Sequence, residues 1–237
     1  MKNDLLKDLL TKLDISYTDD QLGKFDKYYE LLIDWNKKFN LTAITEYEDV
    51  VIKHFTDSIL VCRYFDFNND SYLIDVGTGA GFPGIPIKIM NPGSRIVLLD
   101  SLNKRIRFLK AVVDELELEN IKCIHGRAED VAREKEYRGR FDFALSRAVA
   151  NLSTLSEYCI PFLKPGGCFI SYKSDKSDEE IDASKNALKC LNSELTSIEE
   201  TEIPDTDIRR RILVITNNKP VSNKYPRKAG IPSKEPL

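Results

Sequence analysis

The segment Asp75-Val76-Gly77-Thr78-Gly79-Ala80-Gly81-Phe82-Pro83-Gly84 carries the most chemical potential in this chain. It follows the apolar run Tyr72-Leu73-Ile74 and reads as a strand-to-helix turn. Glycines let a backbone turn tightly and let a ligand approach the amides. Pro83 suits a first helical turn, where no amide hydrogen bond is lost. Strand ends at such turns are the usual ligand crevice of an α/β sheet. Gly79-x-Gly81-x-x-Gly84 matches the dinucleotide fingerprint. The register argues against that ligand. The strand stops at Val76, the first turn glycine is Gly77, and the third fingerprint position counted from there is Phe82. Asp75 also sets a carboxylate at the strand end. That is awkward beside a pyrophosphate and suits a cationic or hydroxyl-bearing ligand. Asp100 ends a second apolar run, Arg95 to Asp100; by itself it reads equally as a binding group, a surface residue or an N-cap neighbour.

Positioning these residues requires strands alternating with helices. Leu5, Leu6, Leu9, Leu10 and Leu13 form one amphipathic stripe, and Leu22, Phe25, Tyr29 and Leu32 form a second after Asp19-Asp20. Thr45 with Glu48 has the spacing of a capping box. It opens a third helix carrying Val51, Phe55, Ile59 and Cys62 on one face. Strands are expected at 71–77, 95–100, 121–126, 141–148, 168–173, 195–203 and 209–217. Helices are expected at 83–90, 105–118, 151–163 and 179–195, with Lys164-Pro165-Gly166-Gly167 as a turn. The pattern predicts an α/β fold with a mostly parallel sheet and helices on both faces. The last two strands have no helix between them and should pair as an antiparallel edge. Three segments follow: a helical segment 1–66 packed on the main domain, the α/β domain 67–218 and a tail 219–237.

The 237 residues are 42% apolar and 31% charged, which excludes wholesale disorder. No apolar run is long enough to span a membrane, and the N-terminus has no signal-peptide pattern. Five scattered cysteines without C-x-x-C read as reduced thiols in a cytoplasmic protein. With two histidines and no paired cysteines, no metal site is expected. No Ser-His-Asp or Cys-His arrangement is recognisable. The net charge of −3 hides an uneven distribution. Beyond Asn217 there are five basic residues against one acid, together with four of the ten prolines. Nothing demands more than a monomer.

Asp75-x-Gly-x-Gly-x-Gly resembles the first motif of the class I S-adenosylmethionine (AdoMet) methyltransferases, which have a Rossmann-like sheet. By that resemblance Asp100 accepts hydrogen bonds from ribose hydroxyls, Glu129 lies where such enzymes hold adenine, and Gly77 and Gly79 leave room for the ligand. Further motifs narrow the family. They are Trp35-Asn36, Asn40-Leu41-Thr42, His54-x-x-Asp57-Ser58, the glycine turn, Ser146-Arg147-Ala148, and the tail from Tyr225-Pro226-Arg227 to Pro236-Leu237. In this order they resemble the ribosomal RNA small subunit methyltransferase G family over essentially the whole chain. The resemblance implies methylation of N7 of a guanine in small-subunit (16S) ribosomal RNA. It also implies that AdoMet is held by Gly77, Phe82, Ala128, Glu129 and Arg147.

Other residues stay open at this level. Arg147 could bind the methionine carboxylate, a phosphate or the guanine, or make a structural ion pair. His54 lies at helical spacing with Val51, Phe55 and Ser58 and is expected to pack or hydrogen-bond rather than act as a base. The basic start Lys104-Arg105-x-Arg107-x-x-Lys110 is a solvated face or a flank of an RNA cleft. In the tail, Lys224, Arg227 and Lys228 beside Tyr225 suit RNA phosphates and a base; Tyr225, Ile231 and Leu237 suggest partial docking. A small-molecule methyltransferase and a non-catalytic NAD-binding module are the competing readings.

Overall fold

The computed structural model describes residues 3–67, 70–147 and 150–237. Seven strands form one sheet: β1 (Tyr72–Val76), β2 (Arg95–Asp100), β3 (Ile121–His125), β4 (Phe141–Arg147), β5 (Leu163–Ser174), β6 (Ser193–Glu202) and β7 (Arg209–Asn217). Their order is β3-β2-β1-β4-β5-β7-β6. The first five strands are parallel, and β7 runs antiparallel between β5 and β6. The chain builds outward from β1 to β3, then returns to the other side of β1 at β4. That reversal opens a crevice at the carboxyl ends of β1 and β4. The register pairs Val76 with Leu99 and Asp75 with Leu145, so the ends of all three strands meet there.

The helices are α1 (Asp4–Lys12), α2 (Asp19–Phe39), α3 (Tyr47–Val50), α4 (Asp57–Ile59), α5 (Gly84–Met90), α6 (Asn103–Glu115), α7 (Ala128–Val131), α8 (Leu152–Cys159), α9 (Asp178–Cys190) and α10 (Ile231–Lys234). Alternate strand residues feed opposite faces, as the two-residue repeat of a strand requires. Leu73, Leu98, Leu145 and Ile170 join the core with α1, α2, α5 and α6. Ile74, Leu99, Ala144 and Phe169 join the opposite core with α8, α9 and the tail residues Val221, Tyr225 and Leu237. The N-terminal helices therefore share one core with the sheet. No helix among the described residues is long and apolar enough to cross a membrane.

Three local expectations are corrected. The Thr45–Glu48 capping box does not form: α3 begins after Glu46, which makes no side-chain cap. The real box is Thr18 with Gln21, at the start of α2. Gln21 Nε2 also donates to the Ile89 and Met90 carbonyls, 3.0 and 3.1 Å away, and so closes the open end of α5. The third helix is not one α-helix. A π-helical turn, Val51–Thr56, separates α3 from α4, and a 3-10 turn, Leu60–Arg63, follows. Finally, Lys164 to Gly167 lies inside β5 rather than before it, across a bulge between Phe141 and Phe143. Ala148, expected to end β4, lies outside the described residues.

Candidate functional site

The glycine turn is folded by its own aspartate. Asp75 is fully buried, and its Oδ2 accepts from Thr78 Oγ1 (2.6 Å) and from the Gly84 amide (2.8 Å). Burial pushes its carboxyl up to about 7. Its Oδ1 has no hydrogen-bond partner among the described residues. Asp75 thus clamps the two ends of the loop together, and the expectation that it faces a ligand is corrected. The Gly77 and Thr78 amides tie the loop to β2 through the Leu99 carbonyl, at 2.9 and 3.1 Å.

The four turn glycines divide into two kinds. A side chain at Gly84 would sit 2.4 Å from Leu98 Cδ2, and one at Gly81 would sit 2.6 Å from the Tyr28 hydroxyl. Those two glycines serve packing. Gly77, at φ +74°, faces open space, and Gly79, at φ +64°, meets nothing nearer than 4.0 Å. Those two keep room for a ligand.

That room is a cavity of about 300 Å³ over the ends of β1, β2 and β4. Gly77, Asp100, Ala128 and Glu129 line it, so four sequence-predicted residues converge. Gly79 is bonded to that lining: its amide donates to Asp100 Oδ2 at 2.9 Å. Asp100 is 2% exposed and also accepts from the Leu102 amide (2.9 Å) and from Arg105 Nη1 (3.1 Å). Leu155 and Tyr158, three apart on α8, close the far side. Sequence reasoning missed both, though their i, i+3 spacing sets them on one helical face.

Phe82 and Arg147 are not among the residues that line this cavity. They belong to a partition beside it. The Phe82 ring stacks on His54 at 4.5 Å, and the Arg147 guanidinium lies 5.1 Å from its centroid. His54 Nε2 pairs with Thr42 Oγ1 at 2.9 Å, and its Nδ1 faces Arg147 Nη2 at 3.3 Å. Burial and the Arg147 charge lower the imidazole to about 4. Behind them, Asp57 is buried and holds two arginines at once: Oδ2 takes Arg147 Nη1 at 2.9 Å and Oδ1 takes Arg210 Nε at 2.7 Å. These groups open on a second cavity of about 690 Å³, lined by Lys53, Arg147, Lys173 and Arg210 against Asp57 and Glu180. Ala150 lines both cavities.

The tail is docked, and Arg227 is its main polar anchor. Its guanidinium grips Glu157, which is 0% exposed: Nη2 reaches Oε2 at 2.7 Å and Nε reaches Oε1 at 3.0 Å. Lys224 and Lys228 remain exposed. In the basic start of α6, Arg105 is engaged by Asp100 and Lys104 by the Phe39 carbonyl, whereas Arg107 and Lys110 are exposed.

Comparison with known proteins agrees with this geometry. The GidB family, rRNA small subunit methyltransferase G, matches residues 21–211. The ribosomal RNA small subunit methyltransferase G of Clostridium tetani is 47% identical over 234 residues, covering 99% of this chain and 98% of its own length. That of Clostridium kluyveri is 49% identical over 225 residues, covering 95% and 94%. Among solved structures, TYW2 of M. jannaschii in complex with AdoMet superposes with a TM-score of 0.51 at 16% identity, over 64% of this chain and 70% of that one. The last likeness speaks for the fold, and the near full-length identities speak for the family: this chain belongs to the ribosomal RNA small subunit methyltransferase G family.

Proposed function

We propose that this chain transfers a methyl group from AdoMet to N7 of a guanine in small-subunit (16S) ribosomal RNA. The observation that carries the reading is the pair of cavities meeting at Ala150, one lined by glycine backbone with Asp100 and Glu129 beside Arg105 and Arg127, the other by four cations against two carboxylates.

The first cavity suits AdoMet better than a dinucleotide. The Gly84 amide, at the start of α5, is already given to Asp75, so that helix end offers a pyrophosphate little. Gly77 and Gly79 supply space, Ala128 supplies a wall, and Asp100 and Glu129 supply acceptors for hydroxyl and amine donors. When bound, AdoMet supplies an electrophilic methyl group on a sulfonium. The chain need not activate its acceptor, because guanine N7 has an in-plane lone pair and loses no proton. The task left to the protein is alignment in a water-poor site. No side chain is assigned as a catalytic base. Arg147, with Lys53, Lys173 and Arg210, takes the phosphate and base of the target nucleotide in the second cavity. The exposed Lys224 and Lys228 meet RNA farther out. The enzyme works as a monomer in the cytoplasm, on free RNA or an assembling particle.

The reading is tested by labelled methyl transfer from AdoMet to ribosomal RNA from cells lacking the gene, followed by chain cleavage at the labile N7-methylguanine. Cleavage at one guanine is expected; label that survives without a cleavage site would move the target atom away from N7. For the cofactor, Asp100→Ala should weaken AdoMet by about 1–3 kcal/mol in calorimetric titration, because buried donors lose their acceptor. Unchanged affinity would remove Asp100 from the site. For the RNA, Lys224→Ala with Lys228→Ala should lower the salt slope of binding by about 1–2 units, at roughly 0.7–0.9 ions released per phosphate. A slope equal to wild type would return both lysines to the solvent.

A further inference from the structure

The tail fastens to the two short elements that form the outer side of the first cavity. Arg227 binds Glu157 on α8 through its side chain and through its backbone amide, which reaches Oε1 at 2.6 Å. The Pro232 carbonyl accepts from Thr154 Oγ1, also on α8, at 2.9 Å. The Gly230 amide donates to Glu129 Oε1 at 2.9 Å. Glu129 lines the cavity, and Thr154 and Glu157 share α8 with the lining residues Leu155 and Tyr158, so the wall itself is tied to the tail. The tail's approach is fixed in turn. Arg138 donates to the carbonyls of Val221, Ser222 and Tyr225, and Arg133 to those of Asn223 and Pro226. A solvated extension has no need of two arginines spent on its backbone.

We propose that the C-terminal tail is the outer support of the cofactor cavity, with Arg227 as a positioning residue acting through Glu157 and α8, and with Gly230 fixing the carboxylate of Glu129. The inference rests on the reading of that cavity as the AdoMet site. It gives Arg227 a part in cofactor affinity, through side chains that cannot hold their places when the tail lifts. Glu157 is the anchor because a buried carboxylate without its partner is costly, so tail and α8 stay together.

The test is calorimetric titration of the full chain with AdoMet, paired with thermal unfolding of the same samples. Arg227→Ala removes the anchor. Gly230→Ala strains the turn at φ +83° that presents its amide to Glu129, and leaves the Arg227–Glu157 ion pair in place. Gly166→Ala is the matched control: the same φ of +83°, equally open space around the added methyl, and no part in the cavity wall. Gly230→Ala and Arg227→Ala are each expected to weaken AdoMet by about fivefold or more, in the range usual for coupling between distinct sites. Gly166→Ala should stay within about twofold while shifting Tm as much as Gly230→Ala does, since both add similar backbone strain. Gly230→Ala that binds AdoMet as tightly as the control overturns the tail's part, and it does so even if Arg227→Ala fails to fold. A wild-type chain giving no heat with AdoMet overturns the cofactor reading instead, and the inference with it.

Discussion

Asp57→Ala is expected to destabilise the chain by about 3 kcal/mol, within the range for breaking a buried ion pair. Asp57 is 3% exposed and is shared by Arg147 and Arg210, whose side chains are 13% and 26% exposed. Without it, two half-desolvated guanidinia face one another. For a chain of this size the loss corresponds to a fall in Tm of about 6–12 °C. Asp57→Asn should cost less, because it keeps the shape and one acceptor. Methyl transfer to ribosomal RNA should fall in both variants, since the two arginines lose the aim that Asp57 gives them over the second cavity. AdoMet affinity should change little, because Asp57 does not line the first. Denaturant unfolding, calorimetry with AdoMet and single-turnover methylation check the three parts. An Asp57→Ala chain as stable and as active as wild type would remove the shared carboxylate from the argument.

Local patterns carried much of the fold. Apolar runs stopped by glycine or charge located all seven strands, and 209–217 matched β7 at both ends. The glycine turn was legible because its geometry is set within ten consecutive residues. What escaped was set by partners far along the chain. Asp57 meets Arg147 ninety residues away and Arg210 one hundred and fifty-three away. Arg227 meets Glu157 seventy residues away. Such pairs leave no spacing signal, so Arg227 looked like one more free cation of a basic tail and Asp57 like an unassigned motif residue. Asp75 shows a subtler limit. Its place at the strand end was readable, but its direction depends on the Gly84 amide, and that turned it away from any ligand. The Thr45–Glu48 spacing failed for a related reason: the chain there enters a π-helical turn whose Val51 and Phe55 are buried, and packing overrode the local signal.

The rate of methyl transfer is expected to be nearly flat between about pH 6.5 and 8.5, because an acceptor nitrogen with a free lone pair needs no base. A base acting on an oxygen or an exocyclic amine would instead print its own titration on the rate. His54 is the residue a base reading would choose, and its surroundings oppose that. Lowered to about 4, it is already neutral across the window, and both ring nitrogens are engaged by Thr42 and Arg147. Its titration shows in stability instead. The unfolded imidazole protonates near 6.5, so the stability it contributes is complete above that pH and is lost as pH falls toward 4. Asp75 works with the opposite sign. Raised from 3.8 to about 7, its buried neutral form contributes stability that is lost as pH climbs through 7. Most of that loss lies between pH 3.8 and about 7 and only its last part reaches the window, where AdoMet and RNA must both saturate for the rate to report chemistry. Single-turnover conditions keep product release from hiding the step. Under them His54→Gln should leave the profile flat. A tenfold rise per pH unit that His54→Gln abolishes, in a chain still folded and binding AdoMet, would make His54 a base and take the methyl group off N7.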